Sequence, residues 1–306
     1  MQAATYLIRH HTAYHYEFPA QQSHNLSCLR PKTFTGQTVE AIQLSISPEP
    51  QWRWDWQDVY GNHRDSFTLS APHETLDVTL LARIRREVPT PPEDLPHELP
   101  WEACVIPNGA AWQNASPLVR EFRFSSPLLT TPDTAGFEAD DLFTPKRPVL
   151  ETLDAFMHRV HSLFTYDPEA TTTFTPLKLV YKNKAGVCQD FAHAAIAELR
   201  RRGFAAGYVS GYLETLPPPG REKLRGADAT HAWYAVFIPG TGWVHFDPTN
   251  NIRAGTRHLI TAWGRDYGDV APLKGVLLGG GTHEIDIEVD VWAWPDQVPP
   301  DLTLPW

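Results

Sequence analysis

The chain has 306 residues, 42% of them hydrophobic, and a formal net charge of −10. Its length suits one large or two modest domains and its apolar content is enough for a real core. The acidic balance argues against nucleic-acid binding, which needs clustered Lys and Arg. Three irregularly spaced cysteines, Cys28, Cys104 and Cys188, make neither a disulfide framework nor a zinc pattern. The N-terminal residues lack a basic start followed by an apolar run, and no stretch of about 18 apolar residues exists, so neither a leader nor a membrane span is expected. The expected location is the cytoplasm, where thiols stay reduced.

Residues 3 to about 88 read as all-β. Thr5-Tyr6-Leu7-Ile8 begins a strand and Tyr14-His15-Tyr16 continues it after a break. Val39 to Ser47 alternates, and Trp52-Arg53-Trp54-Asp55-Trp56 alternates aromatic with charged residues. Tyr60-Gly61-Asn62-His63 is a turn, followed by strands over Asp65 to Ser70 and Leu76 to Val88. Such short strands suggest an antiparallel sandwich-like unit. The three tryptophans are expected to lie in an aromatic core or on a sheet face, in preference to a sugar or peptide platform. His10, His11, His15 and His24 lack zinc-type spacing, so no metal is expected there. Residues 89–100 (PTPPEDLPHELP) are proline-rich and form the domain boundary. This gives an N-terminal β-domain over 1–90, a linker over 91–100, and a second domain over 101–306 whose C-terminal strands can pack on the first.

Beyond the linker, Pro117 to Phe124 and Val149 to Phe164 read as helices. In the second, Leu153, Phe156, Met157 and Val160 fall at helical spacing. Leu177 to Tyr181 is a short helix leading to Gly186-Val187-Cys188-Gln189-Asp190-Phe191-Ala192-His193. From Cys188, an apolar face runs through Phe191, Ala195, Ile196 and Leu199. The helix ends at Arg200, Arg201 and Arg202, with Gly203 as the stop. Cys188 thus sits at a helix N-terminus, where free N–H groups favour the nucleophilic thiolate and could help hold an oxyanion. Asp190 lies in the first turn, where it suits the dipole, and His193 points around the helix to a packing role.

Downstream, His231 to Ile238 and Gly242 to Asp247 read as strands joined by Pro239-Gly240-Thr241, with a glycine-rich strand from Gly203 to Leu213 before them. A three-residue turn sets Ile238 opposite Gly242. His231 then becomes the diagonal neighbour of Asp247 on one sheet face, within roughly 5–8 Å. A two-residue turn would point the two side chains to opposite faces. His245 alternates with Asp247 and is expected to be structural. Residues 214–230 (ETLPPPGREKLRGADAT) read as a mobile surface loop, a lid or specificity loop if it borders the cysteine.

GVCQDFAH, His231-Ala232-Trp233 and Phe246-Asp247-Pro248-Thr249-Asn250 resemble the core of the transglutaminase-like superfamily. The opening YLIRHHTAYHYEFPAQQSHNLSCLRP and the tail GRDYGDVAPLKGVLLGGGTHEIDIEVDV resemble the flanking parts of its bacterial branch. The resemblance implies an α+β fold, with a papain-like catalytic core following the β-domain. It further implies Cys188 as nucleophile, His231 as general base and acid, and Asp247 as the carboxylate that orients it. The Cys188 backbone N–H would be one oxyanion donor. A side chain upstream would be the other, with Tyr166 preferred to Trp112 because it is nearer in sequence. A thioester acyl-enzyme is the expected intermediate. A cysteine peptidase or amidase acting on a peptide or protein amide is preferred. Amine transfer to glutamine and a non-catalytic peptide-binding scaffold are the alternatives. No cofactor, nucleic acid or membrane partner is expected, and no acidic run resembles a calcium loop; the oligomeric state stays open.

Overall fold

A computed structural model describes residues 2–88, 99–105, 112, 116–130, 138–216, 223, 225–226, 228–300, 302 and 304–306. The proline-rich stretch proposed as a boundary falls almost wholly outside the described residues. The N-terminal strands are β1 (Gln2–Ser27), β2 (Gln37–Ser47), β3 (Trp52–Gln57), β4 (His63–Leu69) and β5 (His73–Val88). The break expected within β1 is absent: one strand of 26 residues serves both halves of the sheet. The sandwich-like expectation takes the form of a single curled antiparallel sheet in the order β2-β5-β1-β4-β3. Two C-terminal strands, β13 (Leu273–Gly279) and β14 (His283–Ala293), pair with β1 on its other side.

The catalytic-type unit lies between these strands in sequence. It comprises α1 (Pro117–Glu121), α2 (Val149–Leu163), β6 (Thr165–Tyr166), α3 (Leu177–Asn183), β7 (Ala185–Gly186) and α4 (Cys188–Arg201). A second antiparallel sheet follows, formed by β8 (Ala206–Leu213), β9 (Thr230–Ile238), β10 (Gly242–Asp247), β11 (Ile252–Arg253) and β12 (His258–Gly264), in the order β11-β10-β9-β8-β12. No described helix is long and apolar enough to cross a membrane.

The pivot is α4. Its alanines let the backbone approach β8 and β9 closely, and every residue from Asp190 to Arg200 is buried. Phe191, Ile196 and Leu199 share one cluster with Phe156 and Val160 of α2 and with Tyr234 and Val236 of β9. Each such large side chain contributes roughly 1.5–3 kcal/mol on burial. Gly203 terminates the helix at φ +95°, where a side chain would be strained, and Phe204 N–H donates to Leu199 O at 3.0 Å. Buried Arg200 is satisfied by the carbonyls of Ala206 and Arg265. A second cluster joins the two sheets: Ile8, Val289 and Val291 pack with Tyr212 and Leu259.

Of the two places expected for the tryptophans, core and sheet face, the structure shows the sheet face. Every residue of β3 is exposed, and Trp54 is 60% accessible, so these rings are not core. They stand on an edge strand, where the sheet has no further layer over them in the described residues.

Candidate active site

The turn before α4 is built to present Cys188. β6 and β7 form a short parallel pair that sets Tyr166 beside Gly186. The Asp190 carboxylate folds back on the helix start, accepting from Val187 N–H at 2.8 Å and from Thr171 Oγ1 at 2.6 Å. Asp190 is therefore a cap for the cysteine loop as well as a favourable charge at the N-terminus. Burial raises its pKa. Gly186 is glycine for a steric reason: a Cβ there would collide with the Asp190 carboxylate.

The strand register demanded by the three-residue turn is the one observed. Gly242 pairs with Ile238 and Phe246 with Tyr234. His231 and Asp247 consequently meet, with Nε2 2.8 Å from Oδ2. Cys188 lies beside the same ring and helps hold its proton, and with Nε2 turned to Asp247 the nitrogen left for the sulfur is Nδ1. Trp233 stacks on the imidazole at 5.9 Å between centroids, and its Nε1 donates to Nδ1 of His245 at 3.2 Å. His245 is thus a support behind the site; burial lowers its pKa to about 3.

Asp247 has no exposed side-chain surface and is enclosed by donors. Oδ1 accepts from the backbone N–H groups of Thr249 and Asn250, at 3.1 and 3.2 Å. Oδ2 accepts from His231, from Asn250 Nδ2 at 2.8 Å and from His258 Nε2 at 3.1 Å. Burial alone would raise its pKa, but the hydrogen bonds from His231 and His258 hold it well below the usual carboxylate range. Burial would pull His231 down; its hydrogen bonds to Asp247 and Cys188 push it up to about 10 instead. The arrangement favours an imidazolium beside the Cys188 sulfur, with a buried carboxylate behind it. His231, Asp247 and His258 offer donor atoms within 4.8 Å of one another, but the two Nε2 atoms are already directed at Oδ2. A metal there would have to displace both hydrogen bonds, so the trio is a hydrogen-bonded network.

Residues 6–85 match the bacterial transglutaminase-like N-terminal region, and residues 139–248 match the transglutaminase-like superfamily. The chain belongs to the transglutaminase-like superfamily. An uncharacterized protein of Mycobacterium bovis is 38% identical over 295 residues, 94% of this chain and 92% of that one. An uncharacterized protein of Mycobacterium leprae is 30% identical over 287 residues, 93% and 97% of the two chains. A protein-glutamine gamma-glutamyltransferase of Pseudomonas aeruginosa is 30% identical over 109 residues, covering 35% of this chain and 16% of that enzyme. A solved structure from Cytophaga hutchinsonii, described as "a Putative Cysteine Protease", shares the fold. Its TM-score is 0.75 at 19% identity, covering 100% of this chain and 94% of that one.

Within this transglutaminase-like core, the other residues singled out from sequence sort by position. Tyr166 is 57% exposed and pairs with Gly186, two residues before Cys188, which sets it near the thiol; burial raises its pKa. Trp112 packs on Phe237 at 5.6 Å. Phe237 lies six residues along β9 from His231, about 20 Å at ~3.3 Å per residue, so Trp112 is too far to serve as an oxyanion donor. His193 is buried and accepts from Tyr267 N–H at 3.1 Å, a structural role. Cys28 and Cys104 are buried core thiols, raised by burial to about 11 and about 12. His10 hydrogen-bonds Tyr212 and Thr12, and His11 pairs with Asp77. Residues 217–222 of the proposed lid lie outside the described residues. Its described base is tied to β14, with Lys223 Nζ donating to Val291 O and Asp228 Oδ2 accepting from Val291 N–H.

Two participants were missed. Asn250 stands inside the FDPTN motif, where an Asx-type turn was legible. His258 gave no local signal: it lies on β12, which pairs with β8 and not with β10.

Proposed function

We propose that the protein is a thiol-dependent amide-bond enzyme, and that it acts as a cysteine peptidase or amidase on a peptide or protein substrate. The observation that carries this reading is the 2.8 Å hydrogen bond from His231 to buried Asp247, with Cys188 beside the same ring. The Cys188 thiolate attacks an amide carbonyl carbon, forming a C–S bond and an oxyanion. The Cys188 N–H at the start of α4 faces that oxyanion, with Tyr166 as the side-chain donor. The tetrahedral centre collapses, the C–N bond breaks, and His231 gives its proton to the leaving amine. Water then attacks the thioester while His231 takes a proton from it, and the acid and thiolate are released. Asp247 keeps the imidazole oriented and stabilises its charged form throughout. Hydrolysis is preferred because half-buried Cys188 and exposed Tyr166 leave the thioester open to water. Three free cysteines suit the reducing interior of the cell.

Protein-glutamine amine transfer is the second reading, favoured by the identity over 109 residues with the Pseudomonas aeruginosa gamma-glutamyltransferase. Mass spectrometry of a glutaminyl peptide mixed with a primary amine separates the two. An acid product, lost in Cys188→Ala, is expected; a predominant amine adduct would assign transfer. A Cys188 thiol that reacts with iodoacetamide no faster than free cysteine, and forms no acyl adduct, would return the chain to a non-catalytic peptide-binding scaffold.

A further inference from the structure

β3, β4, the C-terminal part of β1 and β13 lie side by side, and their registers define one continuous sheet face. Trp52 is level with Val276, through Thr68 and His24 between them. Trp54 is level with Lys274, through Ser66 and Leu26. Trp56 extends the tryptophan edge, and Leu278 extends the opposite edge beside Gln22. Side chains alternate along a strand, so these residues share one face, while Phe67 and Leu69 turn to the core on the other. Trp52, Trp54 and Trp56 are 52%, 60% and 38% accessible, Val276 is 74% and Leu278 64%.

At ~250 Å² for a whole tryptophan, the three rings alone leave about 370 Å² in water. Val276 and Leu278 bring the apolar area to about 600 Å², the upper end for a typical monomer. With the polar side chains between the two edges, the face approaches the ~800 Å² that each partner gives to a standard interface. That polar middle can be covered at little cost, because its groups are already paired. His24 hydrogen-bonds Thr68 Oγ1 at 2.9 Å and Gln22 Nε2 at 3.2 Å. No aspartate or glutamate occupies these positions, although the chain as a whole carries a net charge of −10. Lys274 stands at one corner, donating to Gly268 O at 3.3 Å.

We propose that this face is the interface of a homodimer and is covered by a second copy of the chain. The face is self-complementary. A two-fold axis parallel to the strands, midway between β1 and β4, lays β3 of each copy over β13 of the other and keeps level residues level. The two sheets pack face to face at ~10 Å, within about 30° of alignment. Trp52 then meets Val276, and Trp54 meets the stem and ammonium of Lys274, once on each side of the axis. The two Lys274 side chains fall at opposite edges, about 14 Å apart at ~4.8 Å per strand, so like charges do not oppose each other. A flat glycan would stack on the tryptophan edge and leave the aliphatic edge in water, whereas a second copy covers both. The proposal is independent of the amide-bond reading, since Cys188, His231 and Asp247 belong to the other sheet unit.

The test is sedimentation velocity of the full-length protein over a range on the order of 1–100 µM. A dimer is expected, weakened about tenfold or more by Trp54→Lys and equally by Val276→Glu, which lie at opposite edges of the face. Adding Lys274→Glu to Trp54→Lys is expected to recover association, because the two positions meet across the axis with opposite charge. A monomer at the highest concentration overturns the proposal, and so does a dimer that persists in Trp54→Lys or in Val276→Glu. A double variant that stays monomeric overturns the two-fold arrangement. Should circular dichroism show a charged variant unfolded, Trp52→Ser, which only shortens an exposed side chain, decides in its place: an unchanged dimer overturns the proposal and a weakened one supports it. A monomer that binds an insoluble glucan, and loses that binding in Trp54→Lys, gives the face to a polysaccharide and overturns the dimer.

Discussion

Replacing Asp247 by Asn keeps the shape of the side chain and removes its charge. His231 is held at about 10 against an ordinary 6.5, even though burial opposes the charged form. The interval, 10 minus 6.5, corresponds to about 5 kcal/mol at ~1.36 kcal/mol per pH unit. Among the groups that stabilise the imidazolium, the hydrogen bond to Asp247 is the largest, ahead of the bond to Cys188. Assigning about half of the interval to the carboxylate gives ~2 kcal/mol or more, so the imidazole midpoint should fall by about two pH units in Asp247→Asn. The sign follows from charge: without the anion behind it, the ring gives up its proton at lower pH. Side-chain nitrogen NMR of His231 across a pH series reads the midpoint directly and needs no substrate. A midpoint that stays near 10 in the variant would refute the claim that Asp247 sustains the charged ring.

Native-state alkylation with iodoacetamide near pH 7, read by peptide mapping, should modify Cys188 well before Cys28 and Cys104, whose thiols burial pushes to about 11 and about 12; equal rates for all three would contradict the site. Gly186→Ala should slow that alkylation, because the added Cβ must displace the Asp190 carboxylate from Val187 N–H and misplace the start of α4; an unchanged rate would show that the cap does not position the thiol. His258→Ala should lower stability by about 1–3 kcal/mol in urea unfolding, since Asp247 Oδ2 loses a buried donor; no change would mean the contact is idle. Burial holds His10, His193 and His245 neutral, with pKa values of about 4, about 4 and about 3. Below pH 6.5 the unfolded chain gains protons that the native state refuses, so stability falls as pH falls, by up to ~2 kcal/mol per histidine at pH 5. A urea midpoint that does not drop between pH 7 and pH 5 would count against their burial as neutral rings.

Much of this geometry was legible because it is local. The turn Pro239-Gly240-Thr241 sets the register of β9 on β10, and register decides whether His231 and Asp247 share a face. The helix from Cys188 was legible in its alanines and its terminal arginines and glycine. What the sequence could not show depends on contacts between distant segments. His258 reaches Asp247 from a strand across the sheet. Alternation in β3 left core and sheet face both open, because it reports two unlike faces and not which of them is covered. The apparent break in β1 misled for a related reason. Thr12 and Ala13 are buried and the strand runs straight through them, since β5 and β14 pair with it on both sides.

The N-terminal sheet has a physical reason to be joined to this core. β12 is the edge strand of the smaller sheet, and its outer backbone groups would otherwise lack strand partners. Two buried side-chain amides from the larger sheet unit supply them. Gln37 donates to Ile260 O at 2.7 Å and accepts from Ile260 N–H at 2.9 Å. Asn62 does the same for Trp263, at 2.7 and 3.0 Å. Each amide thus imitates a peptide unit of a neighbouring strand. Arg86 adds a bond from Nε to His258 O at 3.1 Å. The backbone that carries His258 is therefore clipped in place by the N-terminal strands, while the His258 ring holds the Asp247 carboxylate and that carboxylate holds His231. An imidazole whose protonation depends on a buried anion needs that anion fixed to within a hydrogen bond's tolerance, and the fixing begins outside the catalytic-type unit, in the strands that precede it.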